Sequence, residues 1–292
     1  IMAALSPQKD WYTNASLGER VLNIYSHFTQ GNMVNWKPDH DMVKTARRIF
    51  KGSKYHRMRV DLMGAVAGKG KSFAELTEPA EQAMWLRVYD EAKNPSGFAT
   101  LTPEGEWIGE ADGNVAWSSL TEIGKAMSAL NDPSHENLSR IMGERNKIRN
   151  FYNNLIAPDA LQGGDVTIDT HAVAAALLRA LSGNSTPVSH NFASSPPKAQ
   201  QPEGFVGALA DNNTGAHGTY GLYADAYRRA AAARGVLPRE MQSITWEAVR
   251  GLFTAKFKQN GMNVDRIDAL WREHDKGNLT LDEVRNAILR EA

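Results

Sequence analysis

The fold is decided by the stretch from Leu138 to Leu178, which has the sequence LSRIMGERNKIRNFYNNLIAPDALQGGDVTIDTHAVAAALL. Its spacing of apolar residues predicts a short helix over Leu138 to Met142 and a tight turn over Gly143 to Asn146. A second helix follows over Lys147 to Ile156, and after a loop a third runs from His171 to Leu181. The stretch therefore predicts a helical hairpin, a connecting loop and a further helix.

Asp169 is the first candidate for chemistry in this stretch. It follows the apolar residues Val166 and Ile168 and lies at the start of the third helix. A carboxylate at that position can accept hydrogen bonds from free backbone N–H groups. That helix is apolar on all sides, so we expect it to be central. A carboxylate at the edge of a buried region can stabilise a developing cation or activate a nucleophile. Helix capping alone is the structural alternative.

Lys147 is the second candidate. A lysine in the first turn of a helix opposes the helix dipole, which indicates a use other than local stability. As an amine it could attack a sugar C1′ or hold a phosphate. An ordinary surface lysine is the alternative.

Composition sets the class of protein and excludes several kinds of site. The 292 residues are 42% hydrophobic and 23% charged, as in soluble globular proteins. The 33 basic and 33 acidic residues balance, which argues against a protein that coats nucleic acid without specificity. The chain has no cysteine, and its histidines lack metal-ligand spacing such as HExxH, so we predict no metal site.

Apolar runs and the first residues of the sequence indicate where the protein acts. No apolar run reaches the roughly 18 residues that a membrane helix needs, so we expect no membrane partner. No signal peptide is visible, and a cytoplasmic location is the expectation. The sequence opens with IMAAL (residues 1–5), which is typical of the inside of a helix, so we expect further residues upstream.

The rest of the chain predicts a mostly α fold. A small β-hairpin insertion is predicted within residues 97–117, where short apolar runs flank turn residues. Residues 183–204 are rich in Ser, Pro, Gln and Asn and predict a linker or long loop. The predicted organisation is therefore a core over residues 1–182, the linker, and extra C-terminal helices over residues 205–292 that pack on the core.

Local helix signals occur in both halves of the chain. Ser119 with Glu122, and Thr280 with Glu283, have the spacing of capping boxes. Three tyrosines at helical spacing predict a core-facing stripe, with a base-stacking platform as the alternative: Tyr220, Tyr223 and Tyr227.

Basic residues are concentrated in residues 51–75, which include a glycine-rich loop over Gly68 to Lys71. The loop lacks the Walker spacing. It indicates either a solvated face or a phosphate-contacting surface, since glycine-rich basic loops offer backbone N–H groups as well as charge. The phosphate-contacting candidates are Lys54, Arg57, Lys69 and Lys71.

Gln242 and Trp246 lie four residues apart at a predicted helix start, with Arg250 one turn further on. An amide and an aromatic ring can read and stack a nucleic-acid base. A helix start anchored by tryptophan is the simpler alternative.

A hairpin, a lysine after its turn and an Asp-x-His about twenty residues later resemble the helix-hairpin-helix DNA glycosylase superfamily. Here 22 positions separate Lys147 from Asp169. The N-terminal segment LSPQKD (residues 5–10), with Asn14 four positions on, is similar to the family's Leu-Ser-x-Gln-x-x-Asp segment. The resemblance covers residues 1–181.

The resemblance implies an all-α fold of two helical lobes that binds a base flipped out of double-stranded DNA. Asp169 would be the essential carboxylate, and Lys147 the nucleophile of the bifunctional members. The hairpin backbone would grip a phosphate, with a structural monovalent cation held by carbonyls as the one cofactor considered. Candidates for DNA or base binding are Gln8, Asn14, Gly143, Arg145, Asn146, Arg149, His171, Gln242, Trp246 and Arg250.

The hairpin departs from the family pattern, which widens the range of functions. It has MGERN (residues 142–146) in place of Gly-x-Gly, and Glu144 would repel a phosphate. In SPQKDW (residues 6–11), NFYNN (150–154), IDTHA (168–172) and QSITWE (242–247), the chain more closely resembles bacteriophage offshoots of the superfamily. That resemblance implies a role in thymine hypermodification in the host cytoplasm. Such proteins displace pyrophosphate from an activated 5-hydroxymethyluracil in DNA and install an amino acid or amine.

Three functions are therefore expected from the sequence. The first is an enzyme that cleaves the base–sugar bond of a modified base of the thymine or 5-hydroxymethyluracil type. The second is the transferase, with a free amino acid as co-substrate. The third is a non-catalytic DNA-binding protein that keeps Asp169 only as a helix cap.

Overall fold

The computed structural model describes residues 1–7, 9, 11–51, 71–93, 99–101, 106–110, 117, 119–143, 146–159, 164–192 and 218–292. The prediction of a mostly helical chain is confirmed. Within these residues no helix combines the length and the apolar character that a membrane crossing requires. The chain divides into two compact units, Ile1–Gly143 and Glu144–Ala292.

This division differs from the predicted boundary at residue 182. Residues 144–182 belong with the C-terminal helices, since the two buried tyrosines Tyr220 and Tyr227 hydrogen-bond to the segment around Asp169. The predicted linker also contains a helix, Thr186–Asn191, in which Val188 is 1% exposed. Composition suggested a linker over residues 183–204, but the buried valine gives the helix a place in the core. Residues 193–204 of the predicted linker lie outside the described residues.

The first unit is built from helices and one pair of short strands. Its helices are α1 (Met2–Leu5), α2 (Trp11–Thr29), α3 (His40–Ile49), a 3₁₀ turn (Phe73–Glu75), α4 (Pro79–Lys93), α5 (Leu120–Asn131) and α6 (His135–Met142). Strands β1 (Ala99–Leu101) and β2 (Trp107–Glu110) pair antiparallel. They lie within the stretch where the sequence predicted a hairpin insertion.

Aromatic rings fill the core of the first unit. Phe28 and Trp85 are fully buried with centroids 4.7 Å apart in an edge-to-face arrangement, and Phe73 lies 5.1 Å from Trp85. Such pairs stabilise beyond the area that they bury. The buried carboxylate of Asp90 is satisfied by the Arg20 guanidinium at 2.6 Å, so the core carries a paired charge.

The second unit contains eight helices among its described residues. They are α7 (Asn146–Ile156), α8 (Thr170–Leu177), α9 (Thr186–Asn191), α10 (Tyr220–Arg234), α11 (Pro238–Leu252), α12 (Ala255–Gln259), α13 (Gly261–Asp275) and α14 (Leu281–Glu291). Helix α8 packs against α10 and α11, and its Ala172 and Val173 are fully buried. The helix is therefore buried on the side that carries these residues, while Ala176 is exposed, so it is not enclosed on all sides.

Candidate functional site

Asp169 is the N-cap of α8, as the sequence predicted. Its backbone is extended, and its Oδ1 accepts a hydrogen bond from the backbone N–H of Ala172 at 2.9 Å. Val166 and Ile168, which precede it, are fully buried, while the aspartate itself is half-buried. The alternation of buried and half-buried residues thus places the carboxylate at the edge of the core.

Helix α10 fixes the loop that leads to Asp169. The Tyr220 hydroxyl donates to the carbonyl of Val166 at 2.7 Å and accepts from the N–H of Ile168 at 2.9 Å. Arg228 Nε donates to the carbonyl of Gly164 at 3.0 Å. Burial raises the pKa of Tyr220, so it remains a neutral phenol that can donate and accept together.

A second tyrosine of α10 holds the first turn of α8. The Tyr227 hydroxyl donates to the carbonyl of Ala172 at 2.9 Å, and Oγ1 of Thr245 on α11 lies 3.2 Å from the same hydroxyl. Burial raises the pKa of Tyr227 to about 12. The N-terminal turn of α8 is thereby tied to both α10 and α11.

Trp246 on α11 contacts the carboxylate directly. Its indole Nε1 donates to Oδ2 of Asp169 at 3.0 Å, so each carboxylate oxygen accepts one hydrogen bond. The His171 ring stands edge-to-face on Trp246, with centroids 5.3 Å apart and an interplanar angle of 76°. The orientation of the carboxylate is therefore set by a helix terminus and a tryptophan from another helix.

Positive charge surrounds this cluster. The guanidinium carbon of Arg250 lies 5.1 Å from the centre of the Trp246 ring, a cation–π contact. Burial lowers the pKa of His171, Asp169 opposes that shift, and the positive charges of Lys258, Arg250 and Lys147 reinforce it. His171 is therefore poised as a neutral imidazole near neutral pH.

The arrangement combines groups that could act on a polar substrate. Asp169 can stabilise positive charge or accept a proton, and neutral His171 can do the latter. The described part of the chain contains no group of three His, Cys, Asp or Glu side chains able to hold a metal ion. The chemistry available from these residues is that of acid–base, electrostatic and amine groups.

Several residues predicted from the sequence meet in this cluster. Trp246 contacts the other three: its indole donates to Asp169, its ring packs against His171, and Arg250 lies over it. Lys147, half-buried in the first turn of α7, is close enough to influence His171. Gln242 is half-buried on α11 one turn before Trp246, and Arg149 is half-buried on α7.

Other predicted residues lie elsewhere. Asn14 is 2% exposed on the apolar face of α2, together with Leu17 and Val21, so its predicted contact with DNA does not fit this structure. Gly143 ends α6 with φ +66°, and Lys71 is exposed beside the 3₁₀ turn of the first unit. Asn146 is the first residue of α7. Outside the described residues lie Gln8, Lys54, Arg57, Lys69 and Arg145.

The sequence did not predict how four residues shape the site. Tyr220 and Tyr227 were predicted to face the core, and both are buried, but their hydrogen bonds to the Asp169 segment were not foreseen. Thr245 and Lys258 carried no motif. Only a contact prediction between α8, α10, α11 and α12 could have drawn attention to them.

Residues 205–253 match the model of a family of unknown function, DUF7178. The match includes α10 and α11, and hence Tyr227 and Trp246, which position Asp169. No curated protein matches the chain. No solved structure matches it either.

Proposed function

We propose that the second unit is the catalytic part of an enzyme that acts on a base in DNA, with Asp169 as its essential carboxylate. The observation that carries the proposal is the convergence of Asp169, His171 and Trp246 with basic side chains from three helices. The sequence motifs alone predict a base-acting role for Asp169, His171 and Trp246. The helix-hairpin-helix glycosylase-like fold is part of the same proposal.

The first reaction that this site supports is cleavage of the base–sugar bond. Water attacks C1′, the electron pair of the glycosidic bond leaves with the base, and Asp169 accepts the proton from water. Its negative charge also stabilises the positive charge that develops on the sugar. In a lyase variant of the reaction, the Nζ of Lys147 would attack C1′ in place of water.

The second reaction is a transfer at the exocyclic carbon of a 5-hydroxymethyluracil pyrophosphate, and the positive surroundings favour it. An amine attacks that carbon, the carbon–oxygen bond breaks, and pyrophosphate leaves with the electron pair. Asp169 or His171 takes the proton from the attacking amine. Lys147, Arg250 and Lys258 would oppose positive charge on a sugar but stabilise negative charge on a departing pyrophosphate.

Mass spectrometry of nucleosides tests both reactions. DNA carrying modified thymines is incubated with the protein, with and without free amino acids. A released base indicates glycosidic cleavage, and a heavier nucleoside with an intact sugar bond indicates transfer. Asp169→Asn should lower the yield of either product by about 10²–10⁴-fold, while Asp268→Asn, a carboxylate change on α13, should lower neither. DNA that remains unchanged by the wild-type protein in every arm would contradict the proposal and favour a non-catalytic DNA-binding protein.

A further inference from the structure

Three basic side chains around His171 come from three different helices. Lys147 lies on α7, Arg250 on α11 and Lys258 on α12. Arg250 lies over the same Trp246 ring that His171 contacts, and the positive charges of all three side chains lower the pKa of His171. Lys147 and Lys258 are half-buried, and Arg250 is exposed. Because three separate elements supply the charges, their convergence is a property of the fold rather than of one amphipathic helix.

These positive charges are poorly balanced within the described part of the chain. Neither the Lys147 nor the Lys258 side chain forms a hydrogen bond or ion pair with another described residue. Arg250 has an acidic neighbour on its own helix, Glu247, at 4.0 Å, and both side chains are largely exposed. A contact of that kind contributes little.

The carboxylate of Asp169 does not pair with these cations directly. Its two oxygens already accept from the Ala172 N–H and the Trp246 indole. The cation–π contact with Trp246 restrains the Arg250 guanidinium. A restrained guanidinium and two ammonium groups provide the donors that a phosphoryl group accepts, because its oxygens can take several charge-assisted hydrogen bonds at once.

The protonation of His171 should be coupled to the binding of an anion at such a site. Burial and three positive neighbours favour the neutral ring, whereas the nearby Asp169 carboxylate favours the protonated form. A bound phosphoryl anion would counter these positive charges, since a nearby negative charge favours the imidazolium. The protonated ring would then add a further donor beside the Trp246 face.

We propose that Lys147, Arg250 and Lys258 form a binding site for a phosphoryl oxyanion, and that His171 takes up a proton when the anion binds. This inference rests on the proposed function in placing the anion at the site of reaction. The anion is either a phosphodiester of DNA or a free phosphate or pyrophosphate group. Both present the same negatively charged oxygens to the same donors.

The experiment follows the His171 ring by NMR on the full chain, with its resonance assigned by comparison with His171→Gln. Inorganic phosphate, inorganic pyrophosphate and a short DNA duplex are added separately between pH 5.5 and 8. Binding should raise the pKa of His171. Calorimetry in two buffers of different ionisation enthalpy should show proton uptake at a pH above the pKa of the empty site.

Variants identify the residues that bind. Arg250→Ala and Lys258→Ala should each weaken binding roughly fivefold, the effect of losing a partly exposed charge pair. Arg179→Ala is the matched control, because Arg179 also lies over a tryptophan of this unit but is paired with Asp268 at 3.3 Å. It should leave the affinity unchanged.

Each outcome bears on the inference. Binding of either inorganic anion identifies a free phosphoryl group as a ligand, and binding of the duplex alone identifies a phosphodiester. If no anion shifts the His171 resonance, if binding occurs without proton uptake, or if Arg250→Ala and Arg179→Ala behave alike, the inference is wrong.

Asp169→Asn separates this inference from the proposed function. The variant removes a negative charge, so anion affinity should stay equal or rise while the reaction is lost. Anion binding without any reaction in the wild type would support the anion-binding site and contradict the proposed enzymatic function. A reaction without anion binding would support the enzymatic function and contradict the anion-binding site.

Discussion

Helix α8 is held at both ends by a tryptophan indole, but the two ends differ in what the indole binds. At the N-terminal end Trp246 donates to the carboxylate of Asp169 at 3.0 Å. At the C-terminal end Trp271 donates to the backbone carbonyl of Leu178 at 3.2 Å. The first contact orients a group capable of chemistry, whereas the second satisfies a carbonyl that the helix end leaves without a partner.

The arginines over the two tryptophans sharpen this difference. Arg179 lies 5.6 Å from the Trp271 ring and is paired with Asp268 of α13 at 3.3 Å. Arg250 lies 5.1 Å from the Trp246 ring, and its acidic neighbour Glu247 is 4.0 Å away on the same helix. The charge of Arg179, at the C-terminal end of α8, is therefore neutralised, whereas that of Arg250, at the N-terminal end, is not. The N-terminal end is the one that retains positive charge for a ligand.

The largest expected effect is a loss of activity, and it should follow the replacement of the carboxylate at the N-terminal end of α8 but not of the one near its C-terminal end. Asp169→Asn should lower activity by about 10²–10⁴-fold, because it removes the charge that accepts a proton or stabilises a cation. Asparagine keeps the N-cap through its one amide oxygen, but its NH2 group cannot accept from the Trp246 indole, so the free energy of unfolding should fall by about 1–2 kcal/mol. Nucleoside mass spectrometry and urea denaturation measure the two quantities.

Asp268→Asn is the counterpart at the other end. It should keep full activity and lose at most about 1 kcal/mol of stability, since it breaks a partly exposed ion pair. Equal losses of activity in both variants would show that the two ends do not differ in function.

Removal of the two indole donors should have the next largest effect. Trp246→Phe and Trp271→Phe each remove an indole donor while keeping a ring, and each should lower the free energy of unfolding by about 1–2 kcal/mol. Only Trp246→Phe should also lower turnover, because Asp169 then loses its orientation. Denaturation midpoints with turnover rates test this. An unimpaired turnover in Trp246→Phe would mean that the indole is not needed to position the carboxylate.

The stability of the protein should depend on pH through His171, at the N-terminal end of α8. Burial lowers the pKa of His171 below its ordinary value of 6.5, so the unfolded chain binds a proton first as pH falls. This contribution to stability is therefore complete above about pH 6.5 and is lost as pH falls toward the folded-state pKa, by at most about 1.4 kcal/mol per pH unit. Urea titrations of the wild type and His171→Gln between pH 5 and 8 should differ in this slope. Parallel curves would contradict the lowered pKa.

Local features of the fold could be predicted from the sequence. The capping boxes of Ser119 with Glu122 and Thr280 with Glu283 are both confirmed. Asp169 was recognised as an N-cap from the apolar residues before it. These signals succeed because each motif lies within four residues, so the sequence contains all of the atoms that decide it.

Non-local features could not be predicted. Trp246 was singled out by its spacing from Gln242, but its partner Asp169 lies 77 positions away. The division after Gly143 likewise depends on packing between distant segments, and composition suggested residue 182 instead. The helix α8 was predicted to reach Leu181 but ends at Leu177, and no glycine marks that end.

The early end of α8 is the source of the smallest expected effect. Leu178 adopts a left-handed conformation with φ +47°, and it closes the helix through N–H bonds from residues 178 and 179 to the carbonyls of Ala175 and Ala174. Non-glycine residues are strained there, so Leu178→Gly should be more stable than Leu178→Ala by about 0.5–1 kcal/mol. Thermal or urea denaturation of the pair measures this difference.

Comparing glycine with alanine removes most of the leucine packing from both variants, so the difference between them reports the backbone. Both variants should keep the activity of the wild type, because the indole contact to Asp169 lies at the opposite end of α8. An alanine variant as stable as the glycine variant would show that the Trp271 contact and the helix closure do not enforce the left-handed turn. A loss of activity in both would show that the two ends of α8 are coupled, and the division of roles between them would have to be abandoned.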